Sequence, residues 1–222
     1  MEKLDVRLRP LVRIVDDDDV VRTSESFVLR LAGYDVQAFE SAELFLASDD
    51  RARCGALVLD IRMPGMSGME LQQKIREEGR TLPILFLTGH GDIDMAVTAL
   101  RRGAADFLQK PMKAEALAAK VKKLVDWHCS VCREHDELEN VAEKVATLTP
   151  KEKEASELAA KGLQNREIAS VMGISEQTVR IHRWNASKKL DVKNAAETAD
   201  VLRSAAASKA PIQYPFVEEP ET

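Results

Sequence analysis

Four consecutive aspartates, Asp16 to Asp19, follow directly on the apolar run Leu11-Val12-Arg13-Ile14-Val15, and another, Asp60, follows Ala56-Leu57-Val58-Leu59. Carboxylates gathered at such strand ends repel one another unless a cation joins them, and hard oxygen donors select Mg2+. Thr88 ends a third apolar run with a hydroxyl, and Lys110 ends a fourth with a cation beside Pro111. A carboxylate nucleophile, a divalent metal, a lysine and a hydroxyl suit phosphoryl transfer onto a carboxylate. Metal and lysine stabilise charge on the equatorial oxygens while the aspartate attacks in line. Singly these residues have plainer uses as a solvated loop, a helix cap or a surface cation. Their joint placement carries the chemical reading.

That placement demands a particular scaffold. Residues 11–15, 35–39, 56–59, 84–87 and 106–108 read as short strands, with helical patterns between them. The first of these helices has Val21, Phe27, Val28 and Leu31 among its apolar positions and closes at Gly33. Continuous apolar strands joined by helices specify an α/β fold, a doubly wound, flavodoxin-like parallel sheet covered on both faces. In such a sheet functional groups collect outside the carboxyl ends of the strands. A strand order of 2-1-3-4-5 makes the first and third strands neighbours and puts Asp16, Asp17 and Asp60 in one crevice.

Residues 127–147 follow as one polar helix. Leu138, Val141, Val145 and Leu148 recur at three- and four-residue spacing, which suits an amphipathic linker and, alternatively, a short pairing seam between two copies. From Thr149 every element is helical. Thr149 is an N-cap with Pro150 in the first position and Glu152 in reach of a capping box. Helices over 165–172 and 176–190, joined by Gly173-Ile174-Ser175, have helix-turn-helix spacing, and the second is free to enter a major groove. It carries Gln177, Thr178, Arg180, Ile181, His182, Arg183 and Trp184, followed by Lys188 and Lys189, while Val179 and Leu190 face inward. The net charge of −5 hides an asymmetry: residues 148–206 hold ten Lys/Arg against eight Asp/Glu, leaving −5 − 2 = −7 for the rest. An acidic front and a basic recognition helix suit different partners. The expected organisation is an α/β domain over 10–126, a linker helix over 127–147, an all-α helix-turn-helix domain over 148–206 and a disordered, proline-bearing tail over 207–222.

The segments Ile14-Val15-Asp16-Asp17-Asp18, Leu57-Val58-Leu59-Asp60-Ile61-Arg62-Met63-Pro64-Gly65-Met66-Ser67-Gly68, Leu87-Thr88-Gly89 and Phe107-Leu108-Gln109-Lys110-Pro111 resemble the receiver domain of two-component response regulators. The resemblance implies that Asp60 is the phosphoacceptor. It implies Mg2+ bound by Asp17, Asp60 and the Arg62 carbonyl, with Asp16 acting through water. Thr88 would bond the phosphoryl group, Lys110 would pair with it, and Phe107 would be the switch aromatic that turns inward with Thr88. It also implies a cis Lys110-Pro111 peptide. The stretch from Leu148 to Leu202 resembles the LuxR-type DNA-binding domain, and the pairing resembles the NarL/FixJ response regulators. Thr88-Gly89-His90-Gly91-Asp92 is similar to a stretch of the FixJ subgroup, His90 itself reading as loop filler or as a base. By this resemblance Arg180, His182 and Arg183 lie on the DNA side and Lys188 and Lys189 near the backbone. Two departures stand out. Ala155-Ser156 replaces two larger apolar residues, so the first helix of that domain is expected to pack loosely, and Trp184 is bulkier than its counterpart.

The resemblance implies a regulator that a sensor histidine kinase phosphorylates, with dimerisation and repacking of the face of the fourth and fifth helices controlling binding to double-stranded DNA. RNA polymerase is a further expected partner. No enzyme activity is expected beyond Mg-dependent self-phosphorylation and slow self-dephosphorylation. The rival readings are a constitutive DNA-binding regulator, a phosphorelay carrier, and a redox or zinc sensor built on His128, Cys129, Cys132 and His135. Three cysteines imply no disulfide framework, and Cys54 reads as solitary. No apolar run approaches the roughly 20 residues that cross a bilayer, and residues 1–10 lack the apolar segment of a signal peptide, so a cytoplasmic protein is expected.

Overall fold

The computed structural model describes residues 9–89 and 93–207; His90 and the tail beyond Ala207 lie outside the described residues. In β1 (Leu11–Val15) every residue is buried, and successive side chains enter opposite layers. Val12 and Ile14 join one core with Ala56 and Val58 of β3 (Gly55–Asp60) and Leu85 and Leu87 of β4 (Ile84–Thr88). Val15 joins the other with Leu57, Leu59, Ile84 and Phe86. With β2 (Asp35–Phe39) and β5 (Asp106–Gln109) at the edges, the order is β2-β1-β3-β4-β5 and the pairings are parallel. This is the expected flavodoxin-like sheet.

Helices α1 (Asp19–Leu31) and α5 (Ala114–Ala146) cover the first face through Leu29, Leu117, Val121, Leu124 and Val125. Helices α2 (Ala42–Ser48), α3 (Gly68–Glu77) and α4 (Ile93–Arg101) cover the second through Phe45, Leu71, Ile75 and Ala99. Each such leucine, isoleucine, valine or phenylalanine contributes roughly 1.5–3 kcal/mol on burial, which is why strands apolar on both sides hold a two-faced sheet. Arg13 is the exception inside β1. Its guanidinium, 1% exposed, meets Asp49 at 2.6 Å and the carbonyls of Leu11, Asp50 and Arg53. A buried charge is tolerated when it is paired and hydrogen-bonded in this way.

The helix expected to stop at residue 126 instead runs unbroken over 33 residues to Ala146. The stretch contains no glycine or proline to end it. The chain divides within it: one compact unit extends through Cys132 and a second begins at Arg133.

The second unit holds α6 (Pro150–Ala160), α7 (Asn165–Met172), α8 (Glu176–Leu190) and α9 (Ala195–Ala207). Thr149 and Glu152 form the capping box at the start of α6. Gly173 ends α7 at φ +66°, a left-handed conformation glycine adopts without strain. The core is small-grained, built on Ala155, Ala159, Ile168, Ala169, Met172 and Val179. A cleft of about 300 Å³ opens beside Ser156, Ala159, Arg183, Trp184 and Thr198, while Ala155 and Ser156 themselves are buried.

Candidate functional site

The sheet order brings β1, β3, β4 and β5 to one end, where Asp16, Asp60, Thr88 and Lys110 follow or finish their strands. Lys110 Nζ lies 2.6 Å from Asp16 Oδ2 and 2.5 Å from Asp60 Oδ1. The second oxygen of each carboxylate is also engaged. Asp18 N donates to Asp16 Oδ1 at 2.9 Å, and Arg62 N donates to Asp60 Oδ2 at 2.7 Å. Asp16 and Asp60 are buried, Asp17 is exposed, and Asp18 caps α1 by accepting from Val20 N at 2.8 Å. Burial pushes the Asp60 carboxyl above its ordinary value; Lys110 opposes this and Asp16 adds to it. Burial disfavours the Lys110 charge, but its two carboxylate partners prevail and hold its value above the usual one.

Thr88 is buried and its hydroxyl donates to the Leu108 carbonyl at 3.4 Å. Phe107 is half-buried against the core of the α2, α3 and α4 face. The Lys110-Pro111 peptide is cis, as the resemblance implies. Gly68, first residue of α3, passes so near the acceptor loop that a Cβ there would stand 2.1 Å from the Asp60 carbonyl oxygen. Only glycine permits that approach.

On α8, Ser175 caps the helix by accepting from Thr178 N at 3.1 Å. Gln177, Arg180, Ile181, Trp184 and Lys188 are exposed, Trp184 by 62%, and Lys188 Nζ lies 5.8 Å from the Trp184 ring centroid. Three other predicted contacts are engaged within the domain. The Thr178 hydroxyl meets Ser175 Oγ at 2.9 Å, Arg183 binds Asn165, and Lys189 binds Glu152 at 2.6 Å and the Thr147 carbonyl at 3.1 Å. His182 is half-buried. The outward face therefore combines cations for phosphates with an isoleucine and a tryptophan for apolar base contact.

Residues 12–122 match the response regulator receiver domain family, and residues 146–202 match the bacterial regulatory proteins of the luxR family. The FixJ transcriptional regulatory protein of Azorhizobium caulinodans is 37% identical over 194 residues, covering 87% of this chain and 90% of that one. The tetrathionate response regulatory protein TtrR of Salmonella typhimurium is 37% identical over 186 residues, covering 84% and 88%. Among solved structures, the response regulator StyR is similar with a TM-score of 0.83 at 37% identity, covering 88% of this chain and 98% of that one. The chain belongs to the two-domain response regulators of the FixJ type. It is a two-component transcription regulator with a receiver domain and a LuxR-type DNA-binding domain.

Two features of this response regulator escaped the sequence reading. Glu25 on α1 is 3% exposed, and neither carboxyl oxygen has a hydrogen-bond partner. Burial first, then the negative charge of Asp16, pushes its value up to about 8, with Lys110 opposing. Its spacing from Val21 and Val28 places it on the helix face that packs inward, whereas Phe27 and Leu31 are exposed. The second correction concerns the cysteines. Cys54 is not solitary: it is disulfide-bonded to Cys129 across 75 residues. His128 is buried and His135 exposed, so the residues 128–135 do not converge on a zinc ion. Among the described residues no group of three or more His, Cys, Asp and Glu is gathered as a metal cage. The acidic pocket thus offers a buried carboxylate pair with Asp17 exposed beside it.

Proposed function

We propose that Asp60 accepts a phosphoryl group from a sensor histidine kinase and that its phosphorylation controls DNA binding by α8. The observation that carries this is the bridge from Lys110 Nζ to Asp16 Oδ2 and Asp60 Oδ1 at 2.6 and 2.5 Å. A buried carboxylate is held beside a cation and a second carboxylate, at the carboxyl end of the sheet. An Asp60 oxygen attacks phosphorus as the bond to the donor's leaving group breaks, giving an acyl phosphate. Lys110 follows the new charge from the carboxylate to the phosphoryl oxygens, and the Thr88 hydroxyl leaves its 3.4 Å contact with Leu108 to donate to them. Movement of Thr88 makes space for Phe107, the half-buried aromatic on the neighbouring strand.

Hard oxygen chemistry suits Mg2+: Asp17, Asp60 and the Arg62 carbonyl would hold it, with Asp16 acting through one of its retained waters, once the carboxylates turn from their contacts with Lys110 and the backbone. Bound there, Mg2+ supplies positive charge opposite the phosphoryl oxygens. An exposed apolar set on α1, Val20, Phe27 and Leu31, gives the kinase a surface to dock on. Repacking near α4 and α5 favours a dimer matched to two-fold DNA sites, with RNA polymerase as a further partner in the cytoplasm. The protein's only chemistry in this reading is its own phosphorylation and slow dephosphorylation.

The test is the intact mass after incubation with acetyl phosphate and Mg2+. Wild type is expected to gain about 80 Da, one phosphoryl group, and Asp60→Asn to gain nothing. No gain in a folded, Mg-bound wild type would favour the constitutive DNA-binding regulator.

A further inference from the structure

Cys54 and Cys129 meet as a disulfide with Cα atoms 5.2 Å apart, a separation normal for such a bond. Cys54 directly precedes β3, the strand that ends in Asp60. Cys129 lies in the last turn of α5 belonging to the first unit, which extends through Cys132. Both residues are half-buried, with Cys129 packed against the core of the α1 and α5 face. Beside them the Gly55 N–H donates to His128 Nδ1 at 2.9 Å, and His128 Nε2 faces the Thr81 hydroxyl at 3.2 Å. These contacts involve no sulfur, so they hold α5 against the sheet when the disulfide is open.

Burial, together with the guanidinium charges of Arg13, Arg80 and Arg76, depresses His128, the residue before Cys129, to about 4. The thiolate is the nucleophile of disulfide exchange. Cys132 stands one turn on, its Sγ 3.5 Å from His128 Nε2. A neutral imidazole supplies no charge to activate it.

Disulfides are rare in reducing compartments, and those that occur there are mostly transient or redox-sensing. We propose that Cys54 and Cys129 form a reversible thiol–disulfide site whose reaction partner is a small-molecule disulfide and its thiol, oxidation fixing α5 to the start of β3. The reversibility rests on the proposed action at DNA inside the cell; the chemistry of the pair stands apart from it. One cysteine thiolate attacks the small disulfide, forming a mixed disulfide and displacing one small thiolate. The second cysteine then attacks the protein sulfur of that bond and displaces the other. Two protein thiols are oxidised, one small disulfide is reduced to two thiols, and the protein's two thiol protons end on them.

The full-length protein is equilibrated in glutathione buffers of graded oxidised-to-reduced ratio, acid-quenched, alkylated and weighed intact. Wild type, with three cysteines, is expected to pass between one and three alkylations across the series. Cys132→Ser should pass between none and two at the same ratios, while Cys54→Ser should form no internal pair. Hydrogen exchange over residues 126–132 should quicken about tenfold or more on reduction, as a local opening becomes easier. A pair absent at every ratio, closed at every ratio, or formed through Cys132 overturns the proposal, as does equal exchange in both forms. DNA-binding shifts on the same samples separate the two readings. A missing titration with intact DNA binding counts against the redox site alone, and lost DNA binding with an intact titration counts against the proposed function alone.

Discussion

Replacing Glu25 by leucine should stabilise the receiver, increasingly so as pH rises. Glu25 is buried on α1 with both carboxyl oxygens unpartnered and its value pushed up to about 8 by burial and by Asp16. Its folded value lies above the unfolded value of 4.5, so the folded chain holds a proton that the unfolded chain releases. Stability from this group is therefore greatest below about pH 4.5, falls as pH rises, and is fully lost above about pH 8. Linkage makes the penalty roughly 1 kcal/mol at pH 5.5 and roughly 4 kcal/mol at pH 7.5. Desolvation of the neutral acid adds about 1–3 kcal/mol at either pH. Glu25→Leu removes both, so its advantage over wild type should grow by about 2–3 kcal/mol between those pH values. The assay is urea unfolding followed by Trp127 fluorescence in a Trp184→Phe background, so that only the first unit reports. Measuring the difference between the two proteins cancels other titrations. An advantage independent of pH would refute the reasoning, because it would place an ionised or partnered carboxylate in that site.

Two other predictions rest on separate side chains. His128, depressed from 6.5 to about 4 by burial and nearby guanidinium charge, contributes stability present in full above about pH 6.5 and lost as pH falls toward 4. The loss should approach 3 kcal/mol, and His128→Gln should flatten wild type's decline in urea stability across that window. On α8, Arg180→Gln should lower the salt dependence of DNA affinity by about one unit of slope. Lys189→Gln should leave the slope nearly unchanged and instead lower the second unit's stability by about 1 kcal/mol through Glu152. Titrations of labelled duplex DNA at graded salt, with thermal unfolding of each variant, check both.

The sheet and the helix-turn-helix were legible because their signals are local. Strands such as Leu57-Val58-Leu59 carry their own period, and Ser175, Gly173 and the Thr149–Glu152 box mark helix ends within a few residues. The pocket was legible for a related reason: its members each end a strand, and parallel topology gathers strand ends. What was not legible depends on partners distant in sequence. Lys189 reads from sequence as a DNA cation, and only the fold shows that α6 also brings Glu152 to it across 37 residues. The change in composition at Trp127 suggests a boundary, yet α5 continues, because nothing between Ala114 and Ala146 breaks it. Cys129 and Cys132, close in sequence, invite pairing with each other, but β3 and α5 bring Cys54 to Cys129 instead. Glu25 shows the limit of pattern most clearly. A single carboxyl on an inward helix face is indistinguishable from a solvated one until the sheet closes over it, and Asp16 and Lys110 then decide its charge.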